Sequence, residues 1–409
     1  MAWTREQKNV TIAAYLGWTL DAFDFFLMVF VFKDIASEFH VPISSVSIAV
    51  VLTLAMRPLG ALIFGRVADR FGRRPALMID ILIYSALELL SGFAPSLAVL
   101  LVLRALFGIA MGGEWGVGSA LTMEIVPAES RGFVSGLLQA GYPTGYLLAS
   151  VVFGLLYSHI GWRGMFMVGA VPALLVLYIR MHVPESPAWQ SMAHAPRPGL
   201  LKTLGANIKL SIYTVVLMTA FNFFSHGTQD IYPTFLRIQR NFDPHTVSLI
   251  TIALNVGAIL GGLAFGAWSE RIGRRRSIMI AALLALPVLP LWAYSVTPLM
   301  LAVGAFCMQI AVQGAWGVIP VHLNEISPDE IRATFPGLVY QLGNLLASVN
   351  LYWQTAIAER HGGDYSYALA LVAGIVSIVI AVLIMFGRER RGVDFVQPRG
   401  AAAAAPSRH

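Results

Sequence analysis

Gly65-Arg66-Val67-Ala68-Asp69-Arg70-Phe71-Gly72-Arg73-Arg74 returns 201 residues later as Gly266-Ala267-Trp268-Ser269-Glu270-Arg271-Ile272-Gly273-Arg274-Arg275. The same offset pairs Trp115 with Trp316, Glu124 with Glu325, Pro127 with Pro328, Arg131 with Arg332 and Gly136 with Gly337. Self-similarity at a fixed spacing of this length means two parallel copies of one structural unit. The surrounding composition says what that unit is made for. Of 409 residues, 57% are hydrophobic and only 12% charged, with a mean hydropathy of +0.70. An ordinary soluble domain carries roughly twice that charge, so a soluble globule is excluded.

Apolar runs long enough to cross a bilayer recur at 11–32, 46–65, 76–93, 97–123, 132–157, 164–181, 211–236, 246–268, 277–294, 297–322, 333–356 and 366–387. The fold class expected is therefore an all-α membrane protein of twelve transmembrane helices, two parallel six-helix repeats. Residues 1–183 form the first bundle and 211–388 the second, joined by a cytoplasmic linker at 184–210 that holds Pro184, Pro187, Pro196 and Pro198. The Gly-, Pro- and Ala-rich tail at 389–409 has little to bury and reads as disordered. The first run is too long for a removable signal peptide and is expected to span.

Orientation follows from the 28 Lys and Arg. With the N-terminus inside, 21 fall on the cytoplasmic side and five outside, leaving Arg57 and Arg104 within the membrane. The positive-inside rule then places both termini in the cytoplasm of a plasma membrane, in particular a bacterial inner membrane. The same bias accounts for the net charge of +6 without a nucleic-acid partner. A single cysteine, Cys307, excludes a disulfide framework or a cysteine metal site. No metal, cofactor or phosphate-binding loop is legible, so neither an enzyme nor an ATP-driven pump is expected.

Charges inside spans are costly and by default functional. At a rise of roughly 1.5 Å per residue, Asp21, Asp24, Arg57 and Glu114 all lie about 12–20 Å from the cytoplasmic end, in one central layer. An arginine there offers a planar fork that binds a carboxylate through two parallel hydrogen bonds. The alternative for Arg57 is a permanent salt bridge to Asp21, Asp24 or Glu114. An acid whose arginine is engaged by substrate can take up a proton, which makes Asp24, Asp230, Asp21 and Glu114 the proton-coupling candidates. Asp80 and Glu88 read as the weaker pair, with a partly water-exposed or interhelical role. Arg104 reads equally as an outer anchor or a coupling group.

Helix seven places Asn222, Ser225, His226, Gln229 and Asp230 at i, i+3, i+4, i+7 and i+8, one polar strip on a helix otherwise built from Phe221, Phe223, Phe224 and Ile231. Such a strip faces a cavity or glues helices together. Asn222, His226 and Gln229 are candidate substrate ligands, with Tyr142 and Gln313. Tyr340, Gln341 and Asn344 are similar candidates, and His322 reads as interfacial. Gly227 and Pro233 are expected to kink the helix.

The Gly-x-x-x-Asp-Arg-x-Gly-Arg-Arg loop and Arg104-x-x-x-Gly108-x-x-x-Gly112 resemble the signatures of the major facilitator superfamily. Asn222-x-x-Ser225-His226-x-Thr228-Gln229-Asp230-x-x-x-Thr234 and Asp21-Ala22-Phe23-Asp24 resemble elements of its sialate and lactate/pyruvate proton symporters. The resemblance implies that Asn222, His226, Gln229 and Asp230 act in binding or coupling. Asp69, Arg70, Arg73, Glu124 and Arg131 lie on one cytoplasmic side and recur as Glu270, Arg271, Arg274, Glu325 and Arg332, so their charge pairs read as a cytoplasmic gate, the alternative being arginines that only anchor topology. The expected function is proton-coupled symport of a small monocarboxylate of the lactate or pyruvate type by alternating access, by a monomer in the lipid bilayer. Sialate, aromatic-acid or sugar transport on the same fold, and a non-transporting sensor, are the alternatives.

Overall fold

A computed structural model describes residues 3–192 and 199–396. The described chain is helical throughout, without a strand. The first six helices are α1 (Arg5–Phe30), α2 (Ile43–Phe71), α3 (Arg73–Ser91), α4 (Leu97–Ile125), α5 (Arg131–Val168, broken at Gly161) and α6 (Ala173–His182). The second six are α7 (Ile208–Gln229, continued by Tyr232–Ile238), α8 (Pro244–Ile272), α9 (Arg274–Leu289, continued by Pro290–Tyr294), α10 (Pro298–Trp316, continued by Ile319–Ile326), α11 (Thr334–Ala347, continued by Asn350–Arg360) and α12 (Tyr365–Met385). Each expected span contains one of these rods. Among the described residues, nine helices are both long and apolar enough to cross a membrane. The other three fall short for visible reasons: α3 carries Arg73, Arg74, Asp80 and Glu88, α6 is short, and α11 breaks at Ser348–Val349.

Local sequence sets the ends. Thr4 starts α1 with a capping box to Gln7, six residues earlier than hydropathy alone indicates, and Asp243, Thr297 and Asp364 cap α8, α10 and α12. Gly72 and Gly273, at φ 116° and 95°, turn the chain between α2 and α3 and between α8 and α9 in a conformation that a side chain disfavours. The expected kink of α7 falls between Gln229 and Tyr232, with Pro233 in the first turn of the continuation.

The halves meet through repeat-related contacts, α2 against α11 and α5 against α8. Small residues allow this approach: a Cβ on Gly116 would stand 2.9 Å from Gly337 Cα. Every hydrogen bond between the two bundles lies toward the arginine-rich face among the described residues. The bundles are thus closed at that basic face. Leucines and isoleucines on the outer surface, such as Leu106, Leu155, Leu174 and Ile375, are exposed where lipid would lie.

Residues 389–396, which composition assigns to a disordered tail, pack under both bundles. Phe395 is buried, its ring lying 3.9 Å from the Arg131 guanidinium carbon and 4.2 Å from that of Arg332. Composition missed this segment because one aromatic ring between two cations suffices to anchor it. The rest of the expected tail, 397–409, lies outside the described residues, as does 193–198 of the linker.

Candidate functional site

Arg57 is buried in α2, near the middle of the bundle pair. Its Nη2 donates to Met111 Sδ at 2.7 Å, its Nε has no partner, and Phe25 lies 5.5 Å from its guanidinium carbon. Among the described residues it forms no ion pair with Asp21, Asp24 or Glu114. The helix that carries it, α2, packs on α4 of its own bundle and on α11 of the other. Arg57 therefore stands on a helix where the two repeats meet, a buried cation with no acid paired to it among the described residues.

The facing wall comes from α7 and α11. His226 Nδ1 lies 3.0 Å from Asp230 Oδ2, and its Nε2 lies 2.9 Å from Asn344 Oδ1. Both side chains of the His226–Asp230 pair remain partly accessible, at 31% and 40%. Tyr142, half-buried, packs 5.8 Å from Trp18 and 5.4 Å from Phe26. Trp115 and Trp316, equivalent in the repeats, close in on Tyr340 at 4.8 and 5.5 Å and form an aromatic floor toward the basic face. Gln313 is buried nearby in α10.

Not all of the polar strip on α7 shares this wall. Asn222 Nδ2 donates to Met218 O at 2.8 Å, and Gln229 Nε2 donates to Gln309 Oε1 at 2.9 Å, so both amides are engaged inside the second bundle. Gln309, which passes the chain on to Thr228 Oγ1 at 3.1 Å, gave no sequence signal beyond its polarity. His322 is fully buried with both ring nitrogens unpartnered, not interfacial.

The remaining central acids are buried. Asp21 and Asp24 have no hydrogen-bond partner among the described residues, and Glu88 accepts from Arg104 Nη2 at 2.6 Å. Arg104, itself buried, also donates to Ser91 Oγ at 2.6 Å. It is therefore an interior charge and not an outer anchor.

At the basic face the expected gate residues assemble almost as a set. Asp69 accepts from Arg73 Nη1 at 2.9 Å and reaches across to the backbone N–H groups of Ala333 and Thr334 at 3.0 and 3.2 Å. Glu270, its repeat equivalent, accepts from Gly132 N–H, the equivalent of Ala333. Arg73 pairs with Glu124 at 3.1 Å, as Arg274 does with Glu325. Arg332 crosses to Glu124 at 3.3 Å, whereas Arg131 donates to Val393 O at 2.6 Å. Arg70 and Arg271 are exposed and form no ion pair among the described residues; Arg70 lies over Phe71, so these two side chains stand outside the lock.

Two further carboxylates complete the face. Glu185 accepts from the N–H groups of Arg73 and Arg74, and Glu389 from those of Arg274 and Arg275, each at a helix N-terminus. Burial pushes the Glu185 carboxyl above the ordinary glutamate range against those hydrogen bonds. Their offset departs from 201, so the repeat did not reveal them.

Comparison with known proteins bears on this arrangement. The chain is 28% identical over 437 residues to a protein named "Carboxylic acid transporter protein homolog" of Saccharomyces cerevisiae, covering 97% of this chain and 70% of that one. It is 26% identical over 389 residues to the sialic acid transporter NanX of Escherichia coli, covering 93% and 96%. The proton:xylose symporter XylE shares the fold, with a TM-score of 0.79 at 18% identity over 95% of this chain and 97% of that one. The family model of the Major Facilitator Superfamily matches residues 14–229 and again 212–407, once per repeat. The chain belongs to the Major Facilitator Superfamily and is a multi-pass membrane transporter, not an enzyme.

Proposed function

We propose that this transporter moves a small monocarboxylate, of the lactate or pyruvate type, together with a proton, by alternating access, with the basic face toward the cytoplasm. The observation that carries the reading is Arg57: a buried guanidinium at the junction of the repeats with no acid paired to it among the described residues. A buried unpaired cation is costly, and a substrate carboxylate supplies the missing charge with bidentate geometry. His226, Asp230 and Asn344 form a hydrogen-bonded cluster in the other bundle that would hold the polar end of a short acid. Relatives named for carboxylic acid and sialic acid support an anionic substrate. Asp21, Asp24 and Glu114, beside Arg57 and Arg104, supply acids able to carry the proton. The closed basic face and the partly accessible His226–Asp230 pair correspond to the outward-facing half of the cycle, with transport by a single chain.

The test compares binding of pyruvate and lactate with that of their uncharged amides, in wild type and Arg57→Lys. Lysine keeps the charge and loses the fork, so carboxylate affinity should fall about ten- to hundredfold, while the amides bind weakly to both. Equal carboxylate affinity in the two proteins would remove Arg57 from the site.

A further inference from the structure

The first bundle holds more buried acid than the substrate site uses. Asp21, Asp24, Asp80, Glu88 and Glu114 are all at most 1% exposed, and among the described residues Arg57 and Arg104 are the buried cations of the same membrane layer. Both oxygens of Asp21, Asp24 and Asp80, Oε1 of Glu88 and Oε2 of Glu114 have no partner among the described residues, nor has the fully buried Tyr84 hydroxyl. Ionised acids in excess of cations inside a membrane bundle are strongly unfavourable, and unpartnered polar atoms add to the cost. Protons relieve both: each removes a charge and creates an O–H donor for a neighbouring oxygen.

The placement of these groups makes a column. Asp80, Tyr84 and Glu88 stand at i, i+4 and i+8, one line along α3, and α3 packs on α2, α4, α5 and α6 of its own bundle. From α1 Asp24 lies beside Glu88, and from α4 Arg104 pairs with it. At the column's far end a Cβ on Gly169 would stand 3.1 Å from Asp24 Oδ1 and 3.2 Å from the unpartnered Glu88 Oε1, so these two carboxyls share one small space. Arg104 holds the other Glu88 oxygen at 2.6 Å.

We infer that Asp80 and Glu88 on α3, joined through Tyr84 and Asp24, form a proton-carrying column inside the first bundle, apart from the carboxylate anchor. This rests on the proton-coupled reading above. In the transfer step the O–H bond of a protonated Glu88 breaks as one forms on the Asp24 carboxylate, leaving Glu88 ionised against Arg104. Proton and substrate then occupy separate places in one bundle, and α1, which carries Asp21 and Asp24, links them.

The full chain in proteoliposomes tests this with Glu88→Gln, Glu88→Asp and Asp80→Asn. Two quantities are read for each: accumulation of labelled pyruvate under an inward acid gradient, and counterflow at equal pH on both sides. Glu88→Gln and Asp80→Asn should lose accumulation tenfold or more and retain counterflow, with partial recovery in Glu88→Asp. Accumulation at the wild-type level in both neutral variants overturns the column. Loss of counterflow along with accumulation in all three makes these residues structural struts, and overturns it equally. Wild-type uptake that ignores the gradient instead refutes proton coupling itself, a separate result.

Discussion

Arg332 of the second bundle donates to Glu124 of the first at 3.3 Å, at a face where Glu124 also holds Arg73 at 3.1 Å. One buried carboxylate thus joins an arginine of its own bundle to one from the other. The pair must separate for the basic face to open. Asp69, which holds Ala333 and Thr334 N–H across the same seam, must release them in the same movement.

Arg332→Gln and Asp69→Asn should each shift the resting population toward an open basic face. Ser119 accepts from Asn324 Nδ2 inside the closed seam at 3.2 Å, so Ser119→Cys in a Cys307→Ser background reports opening. Labelling by a thiol reagent should rise about tenfold, the change that roughly 1.4 kcal/mol produces. Unchanged labelling would make these residues topology anchors only.

Phe395 should act on the same equilibrium. Arg131 and Arg332 are equivalent in the repeats, yet among the described residues Arg131 forms no ion pair with Glu325. Instead Gly392 N–H donates to Glu325 at 3.2 Å, and Phe395 lies between the two arginines. The chain after α12 therefore occupies the place of a second crossing pair. Each cation–π contact contributes about 0.5–2 kcal/mol, so Phe395→Ala should raise Ser119→Cys labelling about fivefold, and Phe395→Tyr should leave it near the parent rate.

The fold was legible because both repeat and hydropathy are properties of the chain itself. Asp69 and Arg73 could be named from the loop because their chemistry is local to it, and Glu124 from its recurrence as Glu325. Phe395, Glu185 and Glu389 could not, since their roles depend on where the segments beyond α6 and α12 return. The same limit explains Gln229: helical spacing places it with His226, but the path of α10 supplies Gln309 as its partner. For Asp80 the sequence leaves open a partly water-exposed or an interhelical role, because one helix in isolation does not show that its neighbours bury it fully.

At the opposite face Glu38 accepts from Arg163 Nη2 at 2.7 Å and from Trp162 Nε1 at 2.6 Å. These hydrogen bonds, first that from Arg163, hold its carboxyl below the ordinary value of 4.5. A group with a lowered folded value stabilises above its unfolded value, and that contribution is lost as pH falls through the folded one. Glu38→Gln should therefore melt below wild type at pH 7 in detergent, and the gap should close below roughly pH 4. The effect should be small, since the pair is 33% and 44% exposed. A gap constant with pH would assign the loss to packing.

The central claim is that a carboxylate at Arg57 is moved together with a proton. Uptake of labelled pyruvate into proteoliposomes holding the purified chain measures it most directly, with an inward acid gradient imposed and then collapsed by a protonophore. Accumulation above the external concentration is expected while the gradient lasts, release when it collapses, and an initial uptake rate about ten- to hundredfold lower in Arg57→Lys at substrate levels that saturate wild type less than halfway. Accumulation that survives the protonophore, or that Arg57→Lys matches, would contradict it.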